Sequence, residues 1–223
     1  MNFFDDKGID NLLVVNPDNP TGNYIPHGEL IRLLNWSKQK GITLIIDESF
    51  VDFADENETL IDQKILDAND QLFVMKSISK SYGVAGLRLG VLASGNTTMI
   101  DDLKKEAAIW NINSFAEFYM QIAEKYKKDY VAALERLRRE RERFARELET
   151  INGLRVIPSK ANFIMVELLG RSTHELTKAL LLGHNIFIKD LTAKTFGKNC
   201  LRLSVRSTED NDLLLAALRS ELK

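Results

Sequence analysis

Apolar positions along this chain change their spacing near its middle. In the first half they form short unbroken runs: Leu12-Leu13-Val14-Val15, Ile42-Thr43-Leu44-Ile45-Ile46, Leu72-Phe73-Val74-Met75 and the stretch from Leu89 to Ala93. Runs of that length read as buried strands. Pro26 opens a helix between the first two; it is predicted to run to about Lys40, to bury Leu30, Leu33 and Leu34, and to stop at Gly41. Another helix is predicted over Thr97 to Ala108, with Asp101 and Asp102 favourable in its first turn. From Ser114 to Ile151 the sequence contains neither glycine nor proline, so long helices follow, restarting at Asp129. Tyr130, Leu134, Leu137, Phe144, Leu148 and Ile151 form one apolar stripe there, with Arg141 in a gap.

Gly153 starts a smaller unit. Strands are expected near Leu154–Ile157 and Asn162–Leu168, then a helix from Ser172 to Leu182, strands near Ile186–Lys189 and Cys200–Val205, and a helix from Thr208. In the last strand Leu201, Leu203 and Val205 share one face, so Arg202, Ser204 and Arg206 share the other. Strands alternating with helices make an α/β protein. The expected organisation is a large domain over residues 1–112, connecting helices over 113–150 and a small α/β domain over 151–223.

Composition narrows the function. At 223 residues, 44% of them hydrophobic, the chain can bury a substantial core. Thirty basic against 32 acidic side chains leave a net charge of -2, which offers no general attraction to nucleic acid or an anionic membrane, and neither partner is expected. One cysteine, Cys200, cannot form an internal disulfide. With no signal peptide and no apolar run of spanning length, a cytoplasmic location is expected. His27, His174 and His184 lack the pair spacing of metal ligands, and Asp52, Asp55, Glu56 and Glu58 read as a solvated loop; no metal is expected. The Arg-Glu-rich helix surface likewise reads as a solvated face.

Candidate chemistry collects where the strands end. The first delivers Asn16-Pro17-Asp18-Asn19-Pro20-Thr21-Gly22, a rigid loop that is either a tight turn or a fixed amide donor to a ligand. The second delivers Asp47 and Glu48. Aliphatics ending in Asp-Glu occur in the magnesium element of ATPases, but the G-x-x-x-x-G-K-[ST] loop that element works with is absent, as is a G-x-G-x-x-G loop. The third run leads into Lys76-Ser77-Ile78-Ser79-Lys80-Ser81-Tyr82-Gly83, with Arg88 eight residues after Lys80. Serine three residues before lysine also marks serine β-lactamases, whose S-D-N and K-T-G partners are missing here; Lys194-Thr195-Phe196-Gly197 breaks the second. What remains is a lysine that condenses with a phosphorylated aldehyde, with Ser77, Ser79 and Arg88 holding the phosphate. The planar guanidinium fork suits a dianion.

These loops, with Gly86-Leu87-Arg88-Leu89-Gly90 and Leu201-Arg202-Leu203-Ser204, resemble in order and spacing the class I/II aminotransferases, pyridoxal-phosphate enzymes of fold type I. Trp110-Asn111-Ile112-Asn113-Ser114-Phe115-Ala116 is similar to a segment of the histidinol-phosphate aminotransferase and threonine-phosphate decarboxylase branch. The resemblance implies pyridoxal 5'-phosphate carried on Lys80, its ring nitrogen paired with Asp47, its ring hydroxyl with Asn19, and its phosphate held by Ser77, Ser79 and Arg88. It also implies a substrate held by Arg202 through its α-carboxylate and by Asn113. An amino donor and a 2-oxo acid acceptor are the implied small-molecule partners, in a homodimer. Arg206 reads either as a surface cation or as the anchor for a second anion, such as a phosphate. Transamination is the expected reaction; decarboxylation of a phosphorylated amino acid, or a non-catalytic relative that keeps the fold, are the alternatives. Two departures stand out. Phe50 occupies the place of a frequent tyrosine, and the family's N-terminal segment, with its glycine-containing helix start and stacking ring, has no counterpart here, so a truncated large domain is expected.

Overall fold

The computed structural model describes residues 2–4, 7–56, 58–194 and 198–223; Thr195, Phe196 and Gly197 of the broken K-T-G match lie outside them. The chain forms two compact units, Met1–Pro17 with Tyr24–Val131, and Asp18–Asn23 with Ala132–Lys223.

The first unit is built on β1 (Asn11–Val15), β2 (Thr43–Asp47), β3 (Leu72–Ser77) and β4 (Gly90–Ala93), in that spatial order. The first three run parallel and β4 returns antiparallel to β3. Helix α1 (His27–Lys40) connects β1 to β2 and stops at Gly41, whose φ of 70° is the left-handed conformation that glycine adopts without a Cβ penalty. It buries Leu30 and Leu34 against Leu44, Ile46, Leu72 and Val74, whereas Leu33 is only half-buried at the edge of that contact. A short α2 (Gln63–Asp67), capped by the Asp62 side chain, closes the same layer. On the other face Leu13, Met75 and Leu92 remain exposed.

After β3 the chain makes one helical turn, α3 (Ile78–Ser81), and after β4 it forms α4 (Thr97–Glu106) and α5 (Ser114–Ala123). A single 3₁₀ turn at Glu124–Tyr126 leads into α6 (Lys127–Glu149), which crosses from the first unit to the second. The second unit sets β5 (Leu154–Ile157), β6 (Phe163–Leu168), β8 (Cys200–Ser204) and β7 (Lys189–Asp190) in an all-antiparallel sheet, with α7 (Thr173–His184) and α8 (Thr208–Glu221). Strand β7 is shorter than the pattern predicts. Asn185 ends α7 at φ 56° and the Ile186 N–H turns back to the Leu180 carbonyl, so residues 186–188 serve the helix exit instead of the sheet.

The α6 stripe packs as expected at Leu134, Phe144, Leu148 and Ile151. Arg141, in its gap, is itself buried. A buried guanidinium costs several kcal/mol unless its donors are satisfied, and Nη1 here donates to the carbonyls of Lys160 at 3.0 Å and Ala161 at 3.3 Å.

Glu48 is fully buried beside the first core. Its oxygens accept from the Leu60 N–H at 2.8 Å and from the Thr59 hydroxyl. Burial raises its pKa despite these donors and the nearby Lys76 ammonium. A carboxyl raised on folding contributes stability that is complete below its unfolded pKa and lost as pH rises through the folded one. Thermal melting of the wild type and Glu48→Gln across pH should therefore show the wild type gaining on the variant toward acid pH. A difference independent of pH would show that Glu48 is not the titrating group.

Candidate functional site

Strand alternation decides which residues reach the open face of the first sheet. Asp47 and Met75 are register partners, as are Met75 and Leu92, and Ser77 lies two residues beyond Met75, so Asp47 and Ser77 share the face opposite α1. Glu48 and Lys76, one residue out of phase, turn to the covered side. Asp47 Oδ1 accepts from the Ser49 N–H at 2.9 Å. The Ser49 hydroxyl in turn accepts from the Ser77 N–H at 3.1 Å, tying the ends of β2 and β3 together.

Of the two lysines near this edge, Lys76 is occupied. Its ammonium lies 2.6 Å from Asp52 Oδ1, with both side chains largely buried. Asp52 Oδ2 accepts from the Ser81 hydroxyl at 2.7 Å. Asp52 is thus not part of a solvated loop as its acidic neighbours suggested; it bridges the residues flanking Lys80. The signal available in the sequence was Lys76 itself, a cation on a strand's buried face that needs a counterion. Tyr130 stacks on Tyr82 with ring centroids 4.1 Å apart, and burial raises the pKa of its phenol. Lys80 is exposed, with Nζ 4.7 Å from the centroid of the Phe50 ring, and it forms no ion pair among the described residues. Phenylalanine in the place of tyrosine therefore offers the amine an aromatic face.

Antiparallel β4 returns the chain to the same edge, because Ser77 pairs with Gly90. Arg88 sits just before Gly90, exposed, at φ 57°, a left-handed conformation uncommon for a residue with a side chain. Two sequence expectations change here. Ser79 is buried, and its hydroxyl donates to the Leu89 carbonyl at 3.3 Å and accepts from the Leu89 N–H at 3.1 Å, so it is engaged with backbone instead of open to a phosphate. Asn113 caps α5 through Oδ1 and donates Nδ2 to the Leu87 carbonyl at 2.9 Å, which uses the amide expected to meet substrate.

Asn19 belongs to the second unit. Its loop is closed by the Gly22 N–H donating to the Asp18 carbonyl and by the Thr21 hydroxyl donating to the Asp18 carboxylate. Gly22, at φ 74°, passes so near Ser159 that a Cβ would lie 1.9 Å from its Oγ. The upstream Asn16 is buried and bonds the Ile25 peptide on both sides. Asn19 Oδ1 accepts from Arg202 Nη1 at 2.7 Å, and the Arg202 guanidinium lies 5.0 Å from the Phe163 ring centroid. Arg202 Nε is buried and has no hydrogen-bond partner among the described residues. The alternation expected of the last strand holds, with Leu201 and Leu203 buried and Ser204 exposed. Arg202 and Arg206 line one cavity of about 640 Å³ together with Lys189, Ser204 and Asp210. Lys189, the register partner of Arg202, was not singled out in the sequence. Arg206 is not uncompensated: Nε donates to Asp210 at 2.8 Å, four residues on.

A model of aminotransferases of class I and II matches residues 5–218. The CMP-5'-(3-aminopropyl)phosphonate synthase of Streptomyces rubellomurinus is 36% identical over 95% of this chain and 34% of its own length. The L-serine phosphate decarboxylase of Sulfurospirillum multivorans is 33% identical over 99% of this chain and 58% of its own. The crystal structure of the histidinol-phosphate aminotransferase from Clostridium acetobutylicum superposes with a TM-score of 0.86 at 26% identity, covering 96% of this chain and 64% of that one. The chain thus spans from about a third to under two thirds of the length of these relatives. With the family's match running through both units and the likeness in fold extending over nearly all of the chain, this protein belongs to the class I and II aminotransferase family, with the fold of pyridoxal-phosphate-dependent transferases.

Proposed function

We propose that this chain carries pyridoxal phosphate on Lys80 and acts on an amino acid that bears a second anion. The donor set fits the cofactor. Among the described residues Asp47 keeps Oδ2 free of protein partners and Lys80 lacks a counterion, and Arg88, two residues before the Gly90 that pairs with Ser77, is exposed. Asp47 would hold the proton on the ring nitrogen, Asn19 Nδ2 would donate to the ring hydroxyl, and Ser77 and Arg88 would take the phosphate. When bound, the cofactor supplies an electron sink for a carbanion at the substrate α-carbon. Lys80, the amine nearest that chemistry, would move a proton to or from that carbon.

The observation that carries the substrate reading is the set of three cations, Lys189, Arg202 and Arg206, that lines one cavity of the second unit with Asp210 as the one carboxylate among its lining residues. The planar guanidinium fork of Arg202 matches a substrate carboxylate. Arg206, holding Asp210 through Nε, keeps its Nη edge for a second anion. A phosphorylated amino acid has both groups. The relative named L-serine phosphate decarboxylase favours release of the α-carboxylate as carbon dioxide; the structural neighbour named histidinol-phosphate aminotransferase supports transamination as the second reading. Both use the same residues and differ in which bond at the α-carbon is aligned. A homodimer is proposed as well, and Ile109, Trp110 and Phe115, all strongly exposed, are apolar surface for a second copy to cover.

Borohydride reduction of the protein incubated with pyridoxal phosphate, followed by peptide mapping, should place the label on Lys80, whereas label on Lys76 would sink the assignment. Carbon dioxide release without 2-oxo acid formation from phosphoserine or phosphothreonine would select decarboxylation, and the reverse would select transamination. Arg206→Ala should raise KM for the phosphorylated substrate by about tenfold, the size of a charged hydrogen bond, and barely alter reaction with unphosphorylated amino acids. An equal effect on both classes would return Arg206 to a surface role. Light scattering at micromolar concentration should give twice the chain mass; a monomer would remove the dimer.

A further inference from the structure

We infer that Ser79 and Asn113 are positioning residues that together clamp Arg88 for phosphate, and that neither is a ligand contact. The inference rests on the proposed role of Arg88 as a phosphate anchor. Arg88 itself is held weakly, its one protein hydrogen bond among the described residues being a long 3.5 Å donation to the Ala85 carbonyl. Yet it adopts φ 57°. A residue with a side chain pays a steric penalty in that region and stays there only when its surroundings fix it. The fixing groups lie on the peptides at either side. Behind Arg88, the Leu87 carbonyl accepts from Asn113 Nδ2 at 2.9 Å, and the Leu87 N–H donates to the Val84 carbonyl at 3.0 Å. Ahead of it, the backbone N–H and carbonyl of Leu89 are both engaged with Ser79 Oγ, and the Leu89 carbonyl also accepts from the Ile78 N–H at 3.2 Å.

The clamp therefore draws on two separate elements. Ser79 comes from α3, adjacent to Lys80, so the arginine is set relative to the lysine through a single side chain. Asn113 comes from the start of α5, where the same amide caps the helix by accepting from the Ala116 N–H at 3.0 Å. Releasing either end lets Arg88 relax toward an ordinary backbone conformation, and its guanidinium leaves the phosphate position. Such a role predicts a loss that depends on the phosphate of the ligand, which a general loss of structure would not produce.

The chemistry of asparagine separates clamping from capping. Asn113→Asp keeps an Oδ acceptor for the Ala116 N–H but sets a carboxylate against the Leu87 carbonyl, while Asn113→Ser keeps a cap too short to reach it. Ser79→Ala removes the other end and Ser79→Thr retains the hydroxyl. Dissociation constants for pyridoxal phosphate and for pyridoxal, measured on each variant and on Arg88→Ala, give the phosphate preference as their ratio. Asn113→Asp and Ser79→Ala should each lower that preference by about two- to tenfold, the range of one net hydrogen bond, with pyridoxal affinity close to the parent. Ser79→Thr should restore most of it. If Arg88→Ala lost the preference while Asn113→Asp and Ser79→Ala kept it, or if these two weakened both ligands equally, the positioning role would be overturned. If the parent and Arg88→Ala showed the same preference, the reading of Arg88 as the anchor would fail, and this inference with it.

Discussion

Pairing of Ser77 with Gly90 turns the chain back on itself at the carboxyl edge of a parallel sheet. A parallel β4 would have needed a crossover of a dozen or more residues and would have begun at the opposite edge. The antiparallel return instead brings Arg88 back to within two residues of the Ser77 pairing position. The proposed roles of Lys80, Arg88 and Ser79 use this reversal: the lysine lies in the turn leaving β3, the arginine in the turn entering β4, and Ser79 bonds one turn to the other. The strain at Arg88 is the cost of making that reversal compact.

The two-residue period of strands then sorts like from like. Asp47 and Glu48 are adjacent carboxylates with opposite surroundings. Asp47 faces the open side with one oxygen uncommitted; Glu48 is enclosed, bonded at both oxygens, and shifted toward its neutral form by burial. Lys76 and Ser77 divide the same way. Lys76 is neutralised by Asp52 on the covered side, and the same carboxylate accepts from Ser81, next to the lysine proposed to carry the cofactor.

Much of this was legible in the sequence because the signals are local. Runs of aliphatics located the strands, Pro26 and Gly41 bounded α1, and the alternation around Arg202 survived unchanged. Residues whose roles depend on contacts distant in sequence were less legible. Ser79 looked like a phosphate donor because it lies in a serine-rich loop; its partner Leu89 is ten residues away and is a backbone group, which no side-chain pattern reveals. Asn113 was read through the segment it belongs to, while its partner is the Leu87 carbonyl, 26 residues earlier. Asp52 was grouped with Asp55, Glu56 and Glu58 by composition, yet it faces the largely buried Lys76 ammonium. The Arg206–Asp210 pair at i,i+4 was readable in principle and was passed over in favour of the strand pattern.

The loop at 18–23 links the residue proposed to contact the cofactor ring, Asn19, to the one proposed to hold the substrate, Arg202. It follows β1 in sequence, but its hydrogen bonds belong to the second unit: the Lys160 N–H donates to the Gly22 carbonyl, and Arg202 donates to Asn19. The asparagine proposed to touch the cofactor ring is therefore also the acceptor that orients the arginine proposed to hold the carboxylate. Arg202 has only limited alternatives, since Phe163 flanks its guanidinium. A substrate carboxylate held by the Arg202 guanidinium would reinforce the orientation set by Asn19, so that binding at one end of the pair strengthens the geometry at the other. Groups linked through one hydrogen bond respond to substitution as a unit.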